Sequence, residues 1–260
     1  MPSDATVFLM YHELELPGRP LCQSEPGYVR YVLAASAFEE QMRWLAQAGW
    51  SACSVGDALG NWQKDRVVIT FDDGCETDLI VAARILRQLG FAATFYLTVG
   101  FLNCPGYLSH SQVKELSALG FEIGCHSMTH PYLGDLSEQE LNEEIAVARQ
   151  RLEQIAGCEV RHFSCPGGRW DPRVAKTALR AGYRSVATSR YVMNTTRTDP
   201  FCLGRVAVLR GTSTEHFANL CRGRGLWACQ MRDAARGAAK RLLGNSFYDQ
   251  IRSVLLTRGR

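Results

Sequence analysis

The sequence predicts an α/β barrel, and two observations carry that prediction. Short apolar or β-branched runs alternate with helix-spaced segments along most of the chain, and the polar residues able to do chemistry fall where those runs end. Such alternation implies parallel strands with helices packed outside them, closed or nearly closed into a barrel. In α/β barrels the working groups stand on loops after the strand C-termini. His12, Asp72, Asp73, His126 and the 165–169 turn all fall there.

The elements follow in order. Residues 7–11 are a short apolar strand ending at Tyr11-His12. Phe38, Met42, Leu45 and Ala46 share one helical face, predicting a helix over 37–48. The β-branched run 67–71 stops at Asp72-Asp73-Gly74, and 79–89 has helical spacing closed by Gly90. Strand 92–97, helix 111–119 closed by Gly120, and strand 121–125 repeat the unit. Ser137 with Glu140 forms a capping box opening a long helix to about residue 155, before Gly157. Strand 162–165, helix 172–181, strand 185–187 and a late strand 205–209 complete the series. Thr212 with Glu215 marks one more helix start.

With 260 residues, 46% of them apolar and 21% charged, the chain can bury one substantial core. Two regions are expected: a barrel domain over 1–225 and a basic helical tail over 226–260. From Arg222 onward there are nine Lys or Arg against two Asp, so the basic character belongs to the C-terminus. Arg232, Arg236 and Lys240 share a helical face, either a solvated surface packed on the barrel or one that meets anionic lipid. No nucleic-acid partner is expected. The ten cysteines are expected as free thiols, because a chain of this size needs no disulfide framework. The N-terminal residues do not form a secretion signal, which favours a cytoplasmic location, with the inner face of the membrane as an option.

Two adjacent carboxylates at a strand end, Asp72 and Asp73, repel each other unless a cation holds both ionised. Side chains alternate along a strand, so both reach one pocket only if the chain turns, which Gly74 permits. His126 and His130 add two imidazoles four residues apart, a spacing that on a helical turn puts both rings on one face. Two histidines and one aspartate leave a position for water, the mark of a catalytic rather than a structural metal site.

The runs Thr70-Phe71-Asp72-Asp73-Gly74 and His126-Ser127-Met128-Thr129-His130 resemble the first two motifs of the polysaccharide deacetylases, the NodB-homology or carbohydrate esterase family four group. The likeness runs from Tyr11-His12 to about Val208 and is strongest to bacterial exopolysaccharide-biosynthesis-type members. It implies a distorted (β/α) barrel, often seven-stranded. It also implies Asp72 as general base and Asp73, His126 and His130 as ligands of a divalent metal, zinc by default with cobalt, nickel or iron as alternatives. Ser164-Cys165-Pro166-Gly167-Gly168 resembles the third motif, with Pro166 and Gly168 matching and Gly167 placed as an oxyanion donor. Ser164 stands where the family has an arginine that holds the catalytic aspartate, and Arg169 and Arg205 are candidate substitutes. The family's late Leu-x-His, source of the general acid, has no match; His12 is the candidate acid or substrate-orienting residue. Asn194 and Arg205 fall in a stretch similar to the exopolysaccharide-type members and are expected in the pocket. The implied activity is removal of acetate from an N-acetylated amino sugar in a glycan or its precursor. A deformylase, an O-acetyl esterase, and a degenerate glycan-binding member are the alternatives.

Overall fold

The computed structural model describes residues 5–231. Ten strands are assigned there: β1 Val7–Tyr11, β2 Leu14–Glu15, β3 Leu33–Ala34, β4 Ser51–Cys53, β5 Arg66–Asp73, β6 Thr94–Leu97, β7 Glu122–Cys125, β8 His162–Ser164, β9 Ser185–Ala187 and β10 Val206–Ala207. Seven of them follow one another in the order β10-β1-β5-β6-β7-β8-β9, every pair parallel. The wall closes through the residue before the last segment of the series. Leu203 bridges Ala187 in parallel, and β10 then pairs with β1 at Leu9–Val206 and Met10–Ala207. The result is the distorted (β/α) barrel that the alternation and the family resemblance imply, with β4 paired to β5 as an eighth strand off the seven-strand path.

Period-two alternation decides which side chains face the helices and which face the barrel interior. Val67, Ile69 and Phe71 of β5 join the large outer core with the helices, whereas Val68 belongs to a smaller cluster with Phe8, Tyr96, Ala187 and Leu203. On the outer face Tyr11 stacks on Phe71 at 5.3 Å and Phe71 on Phe95 at 5.1 Å. Phe38, on the helix Ala35–Gln47, meets Tyr11 edge-on at 5.1 Å and Phe71 at 5.5 Å, which locks that helix over β1 and β5. The interior is polar above and below its apolar middle. Toward the strand N-termini, Glu122 accepts from Thr94 Oγ1 and lies 3.3 Å from His162 Nε2, and His162 Nδ1 pairs with Ser185 at 2.8 Å.

Several boundaries depart from expectation. β5 runs on through both aspartates, because β6 pairs with Thr70 to Asp73 after β4 has paired with Arg66 to Val68 along the same edge. β4 and the helix Val55–Gly60 are too short to show a period in the sequence. The helix packs Val55 and Ala58 into the inner cluster, and its first amides donate to Thr94 and Glu122. The late strand contracts from 205–209 to Val206–Ala207. The following helix, Thr214–Cys221, is capped by Ser213, since Thr212 Oγ1 is taken by the amide of Leu209. Ser137–Glu140 does form its capping box, and the long helix continues to Ala156 through a π-helical turn, Glu143–Val147, before Gly157 at φ 70°. No disulfide joins any of the ten cysteines. No described helix is long and apolar enough to cross a membrane. Leu226, placed by the sequence in the tail, is buried in the barrel's outer core. The tail helices and the Arg232–Arg236–Lys240 face lie outside the described residues.

Candidate metal centre

Asp72 faces inward in register with Tyr96 of β6, as its place in the alternation requires. Asp73 should then face outward, but its φ is 80° and that of Gly74 is 85°. Aspartate tolerates this left-handed conformation better than most residues. The twist brings the second carboxylate round to the same pocket as the first. Gly74 has little freedom to change, since a Cβ there would sit 3.0 Å from Leu97 Cδ2.

His126 follows β7. Its Nδ1 lies 2.9 Å from the Ser164 carbonyl, which can only accept, so Nδ1 carries the proton and Nε2 keeps its lone pair. The histidine pair does not stand on a helical turn. Ser127 and His130 have φ of 70° and 64°, and the His130 amide donates to Ser127 Oγ at 2.9 Å. This loop takes its shape from across the fold. Glu144, in the π-helical turn, accepts from the Met128 and Thr129 amides at 2.9 Å each and from Thr129 Oγ1 at 2.6 Å. Nothing local in the sequence connects Glu144 to the site.

The three expected ligands converge. His130 Nε2 and His126 Nε2 stand 3.5 and 3.7 Å from Asp73 Oδ1. That oxygen is buried and accepts no hydrogen bond. The separations are long for hydrogen bonds but match the edges of a tetrahedral site, about 3.4 Å for metal bonds of ~2.1 Å. Asp73, His126 and His130 therefore fit a divalent metal. Burial pushes Asp73 up to about 6, with Asp72 adding repulsion, and pushes His126 down to about 3. Burial also lowers His130. The histidines are thus neutral, as ligands must be, and Asp73 is the group that would gain from a cation.

Asp72 is held differently. Burial opposes its charge, but the Arg205 guanidinium, then His126, then the hydrogen bonds from Arg205 outweigh it and keep the carboxyl far below the ordinary range. Arg205 grips both oxygens, Nη1 to Oδ1 at 2.7 Å and Nη2 to Oδ2 at 2.8 Å. It also donates to Ser164 Oγ at 2.7 Å and, through Nε, to the Thr188 carbonyl at 3.0 Å. The arginine missing at Ser164 is thus replaced from the start of β10, and the serine is one of its partners. Arg205 is fully buried, with its guanidinium 5.3 Å from the Tyr96 ring. Gly124 makes room for that ring, since a Cβ there would run into it.

Arg169, the other candidate, lies 4.2 Å over the ring of Tyr132. That ring abuts Gly167, at φ 59°, where a Cβ would approach it to 2.9 Å. Pro166 is buried, and Gly168, at φ 68°, backs onto Ser189 with no room for a side chain. Asn194 is fully buried. Its side-chain amide bonds Gly204, donating to the carbonyl and accepting from the amide at 2.8 Å each, and so fixes the backbone next to Arg205. His12 is partly buried against Tyr31 at 4.8 Å, and its Nδ1 has no hydrogen-bond partner. Burial lowers its pKa against the pull of Asp73 and Asp72.

Residues 60–186 match the polysaccharide deacetylase family model, a stretch that contains both aspartates, both histidines and Ser164 but not Arg205. The chitooligosaccharide deacetylase of Azorhizobium caulinodans is 35% identical over 125 residues, 47% of this chain and 58% of that protein. The peptidoglycan-N-acetylglucosamine deacetylase of Bacillus cereus is 36% identical over 125 residues, 47% and 56% of the two chains. The chain thus spans little more than half the length of these relatives. A solved polysaccharide deacetylase from Bacillus cereus has the same fold at a TM-score of 0.73 and 26% identity, over 84% of this chain and 69% of that one. The motifs, the barrel and these likenesses agree: residues 60–186 match the polysaccharide deacetylase family, and the chain shares the fold of a solved member.

Proposed function

We propose that this protein is a metal-dependent N-deacetylase that hydrolyses the acetamide of an N-acetylated amino sugar in a glycan or glycan precursor. The observation that carries the reading is the division of labour between adjacent aspartates: Asp73 faces two imidazoles with an unpartnered oxygen, while Asp72 is gripped by Arg205. Asp73, His126 and His130 would hold a divalent cation, zinc by the donor set, and it would supply Lewis acidity toward the acyl carbonyl and lower the pKa of water there.

The chain's own residues do the rest. Asp72, ionised and fixed by Arg205, accepts the proton of the attacking water. The Gly167 amide donates to the developing oxyanion. Once protonated, Asp72 is a strong acid, because its surroundings favour the charged form, and it returns the proton to the leaving amine. His12, neutral because of burial, supports a substrate-orienting role better than that of acid. The products are acetate and a free amine. Contact with an anionic membrane through the basic segment 226–260 is part of the proposal.

Metal-loaded protein incubated with N-acetylglucosamine oligomers, an N-formyl analogue and an O-acetylated xylan distinguishes the acyl chemistries. Acetate release from the first supports the proposal. Formate alone, or ester cleavage alone, assigns the site to a deformylase or esterase, and equal behaviour of wild type and Asp72→Asn on all three removes the enzyme reading.

A further inference from the structure

Close to the Asp73 centre a second set of donors converges. Glu13, Cys22 and Cys75 each bring a ligand atom within 4.8 Å of the other two, with Glu13 and Cys75 buried and Cys22 partly so. They come from three separate segments: Glu13 directly after His12, Cys75 directly after Gly74, and Cys22 from the loop preceding the short helix Pro26–Val29. The Glu13 carboxylate is fixed by the Cys22 amide, at 3.1 and 3.0 Å to its two oxygens, and by Tyr28 Oη at 2.8 Å. Cys22 Sγ stands 3.6 Å from Cys75 Sγ and 3.1 Å from the Gly106 carbonyl. Gly106 has φ 88°, and a Cβ there would come within 2.9 Å of Cys22 Sγ. The chain keeps that space for the sulfur.

A buried thiol that only fills space behaves as a small hydrophobe and needs no carboxylate beside it. Two thiols and a carboxylate aimed at one point form a donor set for a soft or borderline divalent cation. Zinc–sulfur bonds of ~2.3 Å at tetrahedral angles place two sulfurs about 3.8 Å apart, so the observed 3.6 Å needs little adjustment. A disulfide at ~2.05 Å needs the sulfurs to close by more than an ångström. We propose that Glu13, Cys22 and Cys75 form a second metal site, for zinc or a similar thiophilic divalent cation, that ties the Cys22 loop to the two strand ends carrying His12 and Asp73. On loading, each thiol releases its proton to solvent as its sulfur bonds the cation, and Glu13 contributes an oxygen; no oxidant or reductant takes part.

The two centres differ in a way that spectroscopy reads, because only this one contains sulfur. Cobalt(II) added to the reduced, metal-free full chain should produce a thiolate-to-cobalt charge-transfer band in the near ultraviolet and bind as a second equivalent. Cys22→Ser and Cys75→Ser should each remove most of the band and that equivalent. Cys104→Ser, at an exposed thiol, should leave both, and Asp73→Ala should leave the band while losing the other equivalent. No band in the reduced wild-type chain overturns the site, as does a band surviving both Cys22→Ser and Cys75→Ser. Cys22 and Cys75 found joined as a disulfide in protein purified with zinc also overturns it, since that bond consumes both ligands. The wild-type spectrum decides the matter even where a variant fails to fold.

Discussion

Arg205 holds both oxygens of Asp72 and also donates to Ser164 Oγ. A buried carboxylate costs several kcal/mol unless it is paired and hydrogen-bonded, and Asp72 receives both from one guanidinium. Arg205→Ala leaves that charge alone in the barrel interior, so it should destabilise the fold by about 3–5 kcal/mol and reduce acetate release at least about 100-fold. Arg205→Lys supplies a point charge without the fork and should recover only part of the rate. The exchange Ser164→Arg with Arg205→Ser returns the arginine to its usual strand and should outperform Arg205→Ala in an acetate assay. Asp73 is shifted the other way from Asp72, upward through burial. In metal-free protein its pKa of about 6 lies above an unfolded value of about 3.9, so the folded state binds the proton more tightly. Stability is then fullest below about pH 4 and is lost as pH rises through 6. Metal-free Asp73→Asn should therefore exceed metal-free wild type in urea unfolding at pH 8, by on the order of 2–3 kcal/mol, with the difference closing near pH 4.

The elements show what a sequence can and cannot reveal. The helix closures at Gly90, Gly120 and Gly157 are legible, because each depends on neighbouring residues. The loop from His126 to His130 is not. Four-residue spacing suggests a helical turn, yet Glu144 ties down two amides and a hydroxyl of that loop and fixes a different path. Asp73 illustrates the same limit, since alternation alone would turn its side chain away from Asp72, and only a left-handed φ brings it back. Removing the support from the His130 loop should weaken the metal site without touching a ligand. Glu144→Ala should lower metal affinity by about 10–100-fold, read by competition with a chelator, while circular dichroism at neutral pH stays near that of the wild type.

At the scale of the molecule, the barrel was legible in the alternation of strands and helices, whereas its closure was not. Leu203 joins β9 to the segment leading into β10 by backbone hydrogen bonds that no side-chain pattern records. That closure also delivers Arg205 into the interior, beyond the stretch that matches the family model. Because the proposed ligands Asp73, His126 and His130 come from two strand ends that the fold must bring together, metal binding should stabilise the whole domain. At 100 times the dissociation constant the gain is about 2.7 kcal/mol, so zinc should raise the melting temperature and a chelator should reverse the rise. Asp73→Ala should show the smaller response.

The most direct test measures metal content and acetate release together in wild type, Asp72→Asn and Asp73→Ala. Asp72→Asn should keep its metal at the Asp73 centre and lose nearly all turnover, and Asp73→Ala should lose both that metal and turnover. Undiminished acetate release from Asp72→Asn, or full metal occupancy with wild-type turnover in Asp73→Ala, would contradict the assignment of base and ligand to these adjacent aspartates.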